Sequence, residues 1–594
     1  MSVASLPTAA AAPSLSLSGK VWRSRGGDAL VARAISQRHG LHAVIGDLLA
    51  ARGVALEAVP GFLTPRLRDS LPDPSHLHGM DEAVARLARA VEAGEPVGVL
   101  GDYDVDGATS VALLARYLRA VGTTAHVDIP DRLTEGYGPN TAALGRLAAQ
   151  GCRLVATLDS GTTAFAPLAE ARVAGLEVIV VDHHAAEADL PDALAVINPN
   201  RRDQQSDCGD LAAVGVVFLL VVALNRELRR RGWFAGRAEP DLLQWLDLVA
   251  LGTVCDVVRL TGLNRALVAQ GLLVMAQNRN PGLQALAALA KMEGRPSTFH
   301  LGFLLGPRIN AGGRIGPSSL GARLLLEDDP DEARAMASLL DDFNRRRRSL
   351  EGTVTTAAAN VAAAQADAPV LVVDGEGWHP GVIGIVASRL VERFGRPVLV
   401  IGTEGGVGKG SGRSVPGFDL GAAVIAARRA GILVQGGGHP MAAGLTVDPV
   451  RLDDLRAFMA ERAAQAWVRG EAPPPSLDVD AELALGGLHT DLADVLDGLA
   501  PFGPGNPEPC FQVSGVRVAR ARAVGADHVS CRLVDGAGAG VQAIAFRCRS
   551  RPVGQALLEA DGMVFRAAGR LKLDTYLGNR RLSFHIEDLA HDGR

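Results

Sequence analysis

Between residues 81 and 256 the chain alternates two hydrophobic periods. Short apolar runs at 97–100, 154–158, 178–181 and, less strand-like, 248–251 read as buried strands, while stretches such as 81–93 and 111–118 carry apolar residues at helical spacing. This alternation predicts an α/β domain with a parallel sheet and helical crossovers. Residues 331–366 have helical composition, no proline and a single glycine, Gly352, which predicts one long connecting helix. A second, smaller α/β lobe opens at 369–374, with further strand-like runs at 398–401 and 444–447. Past a proline-rich break at 472–475, five short runs (511–518, 528–534, 541–546, 563–573 and 581–586) are separated by Gly and Asp and have the spacing of an OB-type β-barrel. Ahead of all this, 21–74 shows short helical patterns broken by Pro60, Pro65 and Pro72 and predicts a cap on the domain that follows. The domain reading is therefore 1–20 tail, 21–80 cap, 81–330 sheet domain, 331–367 connecting helix, 368–470 second lobe and 476–594 barrel.

Composition narrows the class. The chain has 594 residues, 48% of them hydrophobic and 21% charged, as in ordinary globular proteins. Its net charge of −5 means that any contact with nucleic acid runs through a local groove and not through a global basic field. Six scattered cysteines without a CxxC pair argue for reduced thiols and exclude a disulfide framework or a zinc ribbon. Residues 1–18 are Ala- and Ser-rich with no basic residue, and read as a tail in place of a signal peptide. The most apolar run, 214–224, falls well short of the roughly 20 residues of a membrane span. A soluble, cytoplasmic monomer without membrane contact is expected.

The apolar runs end alike. The first is followed by Asp102, Asp104 and Asp106, the second by Asp159, the third by Asp182, His183 and His184, and the fourth by Asp256. One such carboxylate is most simply a turn or helix cap. Four strand-like ends presenting Asp or His toward one edge form a metal-site constellation, at the place where open α/β sheets build their sites. Carboxylates this close repel one another unless cations lie among them. Adjacent residues on an extended chain point to opposite sides, so His183 and His184 divide the work: one ligates and the other reaches a substrate oxygen or a neighbouring carboxylate. Oxygen-rich ligation without thiolate favours Mn²⁺ or Mg²⁺ over zinc, and two ions about 3.5–4 Å apart suit in-line displacement at phosphorus.

The stretches GDYDVDG, LDSGT, VVDHH and VCDVV, in this order, resemble the motifs of the DHH phosphoesterase superfamily. GPRINAGGRIG (306–316), GWHPGVIGIVASRL (377–390), SGRSVPGFDL (411–420), GGGHPMAAG (436–444) and PFGPGNPEP (501–509) are similar to its single-strand-specific exonucleases. The resemblance implies a DHH domain joined by a long helix to a DHH-associated domain, with a C-terminal OB-type barrel. It implies a metal-dependent 5′→3′ exonuclease degrading single-stranded DNA to mononucleotides in repair and recombination. Single-strand-binding protein and a helicase are the partners it suggests. Asp104, Asp106, Asp159, His183 and Asp256 would be metal ligands for two ions, His184 would sit beside the scissile phosphate and Asp182 would orient its neighbours. Among residues of the matching motifs, Arg308, Asn310 and Arg314 would contact substrate. One departure stands out: where some members carry a histidine four residues before the first ligating aspartate, this chain has Leu100. Two alternatives remain open: a DHH phosphodiesterase for small nucleotides or short RNA, which would need neither cap nor barrel, and a non-catalytic scaffold, which would have no use for intact carboxylates.

Other features admit both a bland and a functional reading. Arg132, in a loop with Tyr137, is able to clamp a phosphate bidentately. The glycine-rich 405–413 stretch fails as a Walker motif because Lys409 is followed by Gly410; it reads as a flexible turn or as an anion nest in which Ser411, Arg413 and Ser414 surround a phosphate. His439, after three glycines, is placed to approach a ligand, and His379 is either a loop residue or a contact. In the barrel region, basic residues (Arg547, Arg549, Arg551, Arg570, Lys572, Arg580, Arg581) interleave with Phe546, Phe565, Tyr576 and Phe584, a mixture suited to single strands.

Overall fold

The computed structural model describes residues 15–132, 134–467, 474–560, 562–574 and 580–592. They form two compact units, one from the described residues of 65–472 and 501–506, the other from those of 1–64, 473–500 and 507–594.

In the first unit, a five-stranded sheet runs in the order Ala125–Asp128, Val97–Gly101, Leu154–Leu158, Glu177–Val181, Ala195–Ile197. Every neighbouring pair is parallel. The chain leaves Val97–Gly101 for the strand on one side and then returns to the strand on the other, so the carboxyl end of Val97–Gly101 is a topological switch point. Val97–Gly101 and Leu154–Leu158 are buried throughout, as sheets covered by helices on both faces require.

The run at 248–251 corrects the strand reading. It lies in the helix Leu246–Cys255, where Leu248, Val249, Ala250 and Leu251 are all fully buried. A helix covered on every side loses its polar stripe, and over four residues nothing separates it from a central strand. Asp256 is the C-cap of that helix and not a strand end. The 214–224 run is likewise the buried body of the helix Ala213–Arg230. No described helix is long and apolar enough to cross a membrane.

Asp329 caps the long helix Pro330–Ala363 by accepting from the Asp331 and Glu332 N–H groups. Two arginines of the run 345–348 pair with the helix's own carboxylates: Arg345 with Asp341 at 3.1 Å and Arg347 with Glu351 at 2.8 Å. The helix leads into a second sheet, ordered Gln435–His439, Ala442–Val447, Val407–Arg413, Val398–Glu404, Leu371–Glu376, in which only the last pair is parallel. The glycine-rich stretch is therefore a strand, neither a flexible turn nor a nest. Residues 407–413 pair with 398–404 on one side and 408–413 with 442–447 on the other, so their backbone groups serve the ladder. The glycines answer to packing: a Cβ on Gly410 would come within 2.7 Å of Leu445 Cδ1 and 3.1 Å of Ile401 Cγ1.

The second unit joins Val21–Ser24 in parallel to Ser476–Val479, and the Leu17 N–H donates to the Leu589 carbonyl at 2.8 Å. Residues 21–64 thus group with the C-terminal segments, whereas local pattern attaches them to the domain after them. Phe511–Val524, His528–Val534, Gly540–Ala545, Arg581–His591 and Val564–Asp574 close into a five-stranded barrel through the pairing of the last with the first. Phe565 and Phe584 are fully buried, so these two form the barrel's core instead of a binding face. Phe546 is exposed, and Tyr576 lies outside the described residues. Arg570 and Lys572 pair with Glu508 and Glu587. All six cysteines are free.

Gly410→Val should lower the stability of the first unit by about 1–3 kcal/mol, since its side chain has no room between Ile401 and Leu445. An unchanged urea midpoint for that unit would contradict the packing account.

Candidate metal centre

The carboxyl edge of the first sheet gathers Asp102, Asp104, Asp106, Asp159, His183, His184 and Asp256 into three overlapping groups, in each of which the potential ligand atoms lie within 4.8 Å of one another. Each arrives by a different route. Asp104 caps the helix Val105–Ala120 by accepting from the Gly107 N–H at 3.0 Å. Gly107 is obligatory, because a Cβ there would stand 2.5–2.7 Å from the Asp102 main chain. Asp106, fully buried, accepts from the Ala213 N–H at 2.7 Å and the Val214 N–H at 2.9 Å, and so caps the helix Ala213–Arg230 from outside its own sequence. Asp159 has φ +61°, a left-handed backbone costly for a side-chain-bearing residue. The Tyr137 hydroxyl donates to its carbonyl at 3.0 Å and also lies 3.3 Å from His184 Nδ1.

Asp182 has a different part. Its Oδ1 accepts from the His183 N–H, the His184 N–H and His184 Nδ1, the last at 2.8 Å, and its Oδ2 accepts from the Thr162 N–H. Asn198 and Asn200 donate to the carbonyls of His184 and His183 at 2.9 and 2.6 Å, which fixes the turn after the strand. His183 Nε2 then stands 3.3 Å from Asp159 Oδ1, 3.7 Å from Asp256 Oδ2 and 3.9 Å from Asp106 Oδ2.

Three of these buried atoms, Asp159 Oδ1, His183 Nε2 and Asp256 Oδ2, have no hydrogen-bond partner among the described residues. Unpartnered acceptors converging in a dry site are the donor set of a cation, and the residues fit Mn²⁺ or Mg²⁺. Electrostatics agrees. Burial, then Asp104, pushes Asp102 up to about 8, and burial with Asp104 pushes Asp256 up to about 7. Burial and neighbouring carboxylates hold Asp106 and Asp159 well above the usual range. Burial lowers His183 to about 4, reinforced by His184. For His184 burial acts downward but the bond and charge of Asp182 prevail, raising it to about 9. Leu100 turns into the apolar core beside Leu144 and Leu147 and offers nothing to the site, whereas Asp102 joins Asp104 and Asp159 as a third oxygen donor.

Beside Asp102 lies a basic cluster. Arg132 stacks over the Tyr103 ring at 4.8 Å, Arg314 donates to the Gly381 carbonyl at 3.1 Å, and Arg413 donates to Ser411 Oγ at 3.3 Å. None of the three forms an ion pair among the described residues. Burial, then Arg132, lowers both Arg314 (to about 10) and Arg413, the signature of cations crowded together. Gly384 leaves them room, since a Cβ there would lie 3.4 Å from Arg413 Nη2.

Other expected contacts fall elsewhere. Ser414 is buried, its hydroxyl donating to the Phe418 carbonyl at 2.7 Å, so it is no part of an anion site. The Arg308 guanidinium is taken up by Asp341 at 2.9 Å and by the Leu304 carbonyl. His379 caps the helix Pro380–Phe394, accepting from the Gly381 N–H, and His439 is exposed at the end of Gln435–His439. Asn310 lies half-buried in the helix Gly306–Ile315. Sequence reasoning missed Asp102 as a donor, Tyr137 as a brace and the Asn198–Asn200 pair; an Asn-Pro-Asn turn directly after a strand was the available signal for the last.

The DHH family, N-terminal domain matches residues 96–253, the DHHA1 domain 367–465 and the RecJ OB domain 479–588. The single-stranded-DNA-specific exonuclease RecJ of Dickeya dadantii is 37% identical, over 92% of this chain and 96% of its own length. That of Escherichia coli is 36% identical over 86% and 90%. The crystal structure of RecJ from Thermus thermophilus in complex with Mn²⁺ superposes with a TM-score of 0.79 at 30% identity, covering 96% of this chain and 79% of that one, and its Mg²⁺ complex with 0.74 at 29%.

Because cation binding needs ionised carboxylates, Mn²⁺ should displace protons from Asp102 and Asp256 at pH 7, and affinity should fall as pH drops through that range. Calorimetric titration in two buffers of different ionisation heat should find proton release at pH 7 that shrinks by pH 9, where both groups are already ionised. Absence of release at pH 7 would contradict this account.

Proposed function

The chain belongs to the RecJ family of single-stranded-DNA-specific exonucleases, and from that premise we propose that it removes mononucleotides from the 5′ end of single strands, in repair and recombination. One observation carries the polarity: three guanidiniums without carboxylate partners, those of Arg132, Arg314 and Arg413, stand beside the carboxylate cluster. A site for a terminal phosphate next to a site for hydrolysis measures one nucleotide from the end.

In this reading Asp104, Asp106, Asp159, His183 and Asp256 hold two divalent ions, with Asp102 supplying the donor that Leu100 does not. Such ions, when bound, lower the pKa of a water and draw charge from the phosphoryl oxygens. The chain's own residues do the rest. Asp182 fixes the ring of His184 and keeps it protonated, leaving Nε2 to donate to an oxygen of the scissile phosphate. Tyr137 braces the Asp159 main chain against that same ring. Arg132, Arg314, Ser411 and Arg413 hold the 5′-phosphate. Water attacks phosphorus and the P–O3′ bond breaks. The terminal nucleotide leaves with a 3′-hydroxyl, and the shortened strand carries a new 5′-phosphate for the same arginines. In the barrel, exposed Phe546 among Arg547, Arg549 and Arg551 supports a stacking contact with the strand.

Arg413→Ala should cost roughly ten- to a hundredfold in kcat/KM on 5′-phosphorylated strands, the worth of a charge-assisted bond of about 1.5–3 kcal/mol. On 5′-hydroxyl strands, which lack the partner, the loss should be much smaller. Equal losses on both would mean that Arg413 supports the fold and not the end.

A further inference from the structure

The helix that carries Arg314 borders the metal centre along its length. It starts with one π-helical turn, His300–Leu305, and continues as Gly306–Ile315. At its start the Leu301 carbonyl accepts from Cys255 Sγ at 3.5 Å, one residue before Asp256, and a Cβ on Gly306 would lie 2.4 Å from the same sulfur. Near its end a Cβ on Gly313 would come within 2.8 Å of the Tyr103 carbonyl, between Asp102 and Asp104. From Leu301 to Gly313 the axis spans ~18 Å. The basic cluster lies at the Arg314 end and the last metal-centre carboxylate at the other.

At the Asp256 end stand two rings that the function has not used. Phe299 and Phe303 are 57% and 66% exposed, and they stack on each other with centroids 5.3 Å apart and planes 24° from parallel. In the wider π-winding, residues four apart share a side while those two apart oppose them. Leu301 and Leu305 accordingly take the fully buried side, and the phenylalanines are left outward as a pair. Two adjacent flat apolar faces in water are costly to maintain without an occupant.

We propose that Phe299 and Phe303 form a stacking platform for nucleobases of the substrate strand, on the 3′ side of the cleaved bond. This rests on the reading of Arg132, Arg314 and Arg413 as the 5′-phosphate site, since a strand anchored there and passing the carboxylates along this helix next meets the two rings. Stacking is indifferent to base identity, which suits an enzyme that must move through any sequence. The platform supplies grip on the downstream strand while the arginines supply the stop.

The test uses the full-length protein in EDTA with two 5′-phosphorylated 12-mers, one of thymidines throughout and one with abasic residues in its 3′ half. The wild type should bind the first about five- to a hundredfold more tightly than the second. The double variant Phe299→Ala, Phe303→Ala should bind both with the affinity the wild type has for the abasic strand. Phe303→Leu, which keeps apolar bulk without a ring, should fall with the double variant. A preserved Mn²⁺-induced rise in Tm would show that the variants are folded. If the double variant discriminates between the strands as the wild type does, or weakens on both to the same extent, the platform is refuted and the pair serves a protein partner or packing. Failure of the phosphate reading is separate: it would show as equal wild-type affinity for 5′-phosphorylated and 5′-hydroxyl strands.

Discussion

The repulsion among buried carboxylates at one sheet edge is the constraint on which the rest depends. Asp102, Asp106 and Asp159 are almost wholly buried and Asp104 and Asp256 lie within ligand distance of them. Placing so many anions in a dry cleft is unfavourable by several kcal/mol per unpaired ion. The fold offsets this only in part. Main-chain N–H groups of two helix N-termini reach Asp104 and Asp106, but Asp159 Oδ1 and Asp256 Oδ2 are left without a donor. Had stability alone been selected, another N–H or a neutral residue would serve better. The deficit is met when cations complete the site.

That constraint explains where the second lobe must put its charge. The basic cluster and the acidic cluster are neighbours, yet they do not neutralise each other: Arg132 stacks on Tyr103 and Arg413 donates to its own strand's Ser411. Keeping guanidiniums crowded and unpaired is unfavourable for the same reason as keeping carboxylates so. If the strand binds as proposed, a phosphodiester relieves both, with its terminal phosphate on one cluster and its scissile phosphate on the cations of the other. The long helix Pro330–Ala363 and the Arg314–Gly381 bond tie the lobes together, so the spacing between the clusters is a property of the unit.

Legibility followed the locality of each signal. Asp104, Asp159 and the Asp182–His184 run stood out because an apolar run ending in carboxylates is a local statement about a strand's carboxyl end. Asp256 was read at a strand end and instead caps a helix, since a helix buried on all sides shows no polar stripe. The glycine strand 407–413 was misread because its glycines answer to Ile401 and Leu445, partners that periodicity within the stretch cannot reveal. Phe565 and Phe584 went inward because alternation fixes which face a side chain takes, while composition counts only its presence. The pairing of Val21–Ser24 with Ser476–Val479 carries no local signal at all.

The two strand ends bearing Asp159 and Asp182 show how one residue type acquires two functions. Both carboxylates are buried at neighbouring positions of one sheet edge. Asp182 accepts three hydrogen bonds on one oxygen and one on the other, which outweigh burial and hold it below the usual carboxylate range. Asp159, turned by its left-handed backbone and braced through its carbonyl by Tyr137, receives none on Oδ1 and is pushed the other way. Environments that drive like groups apart mark a division of labour. A saturated carboxylate has no lone pair to spare for an ion and is suited to orient an imidazole. An unsaturated one, held in place by its main chain alone, has every reason to take a cation. The donors each carboxylate receives, more than its identity as aspartate, decide which of the two it becomes.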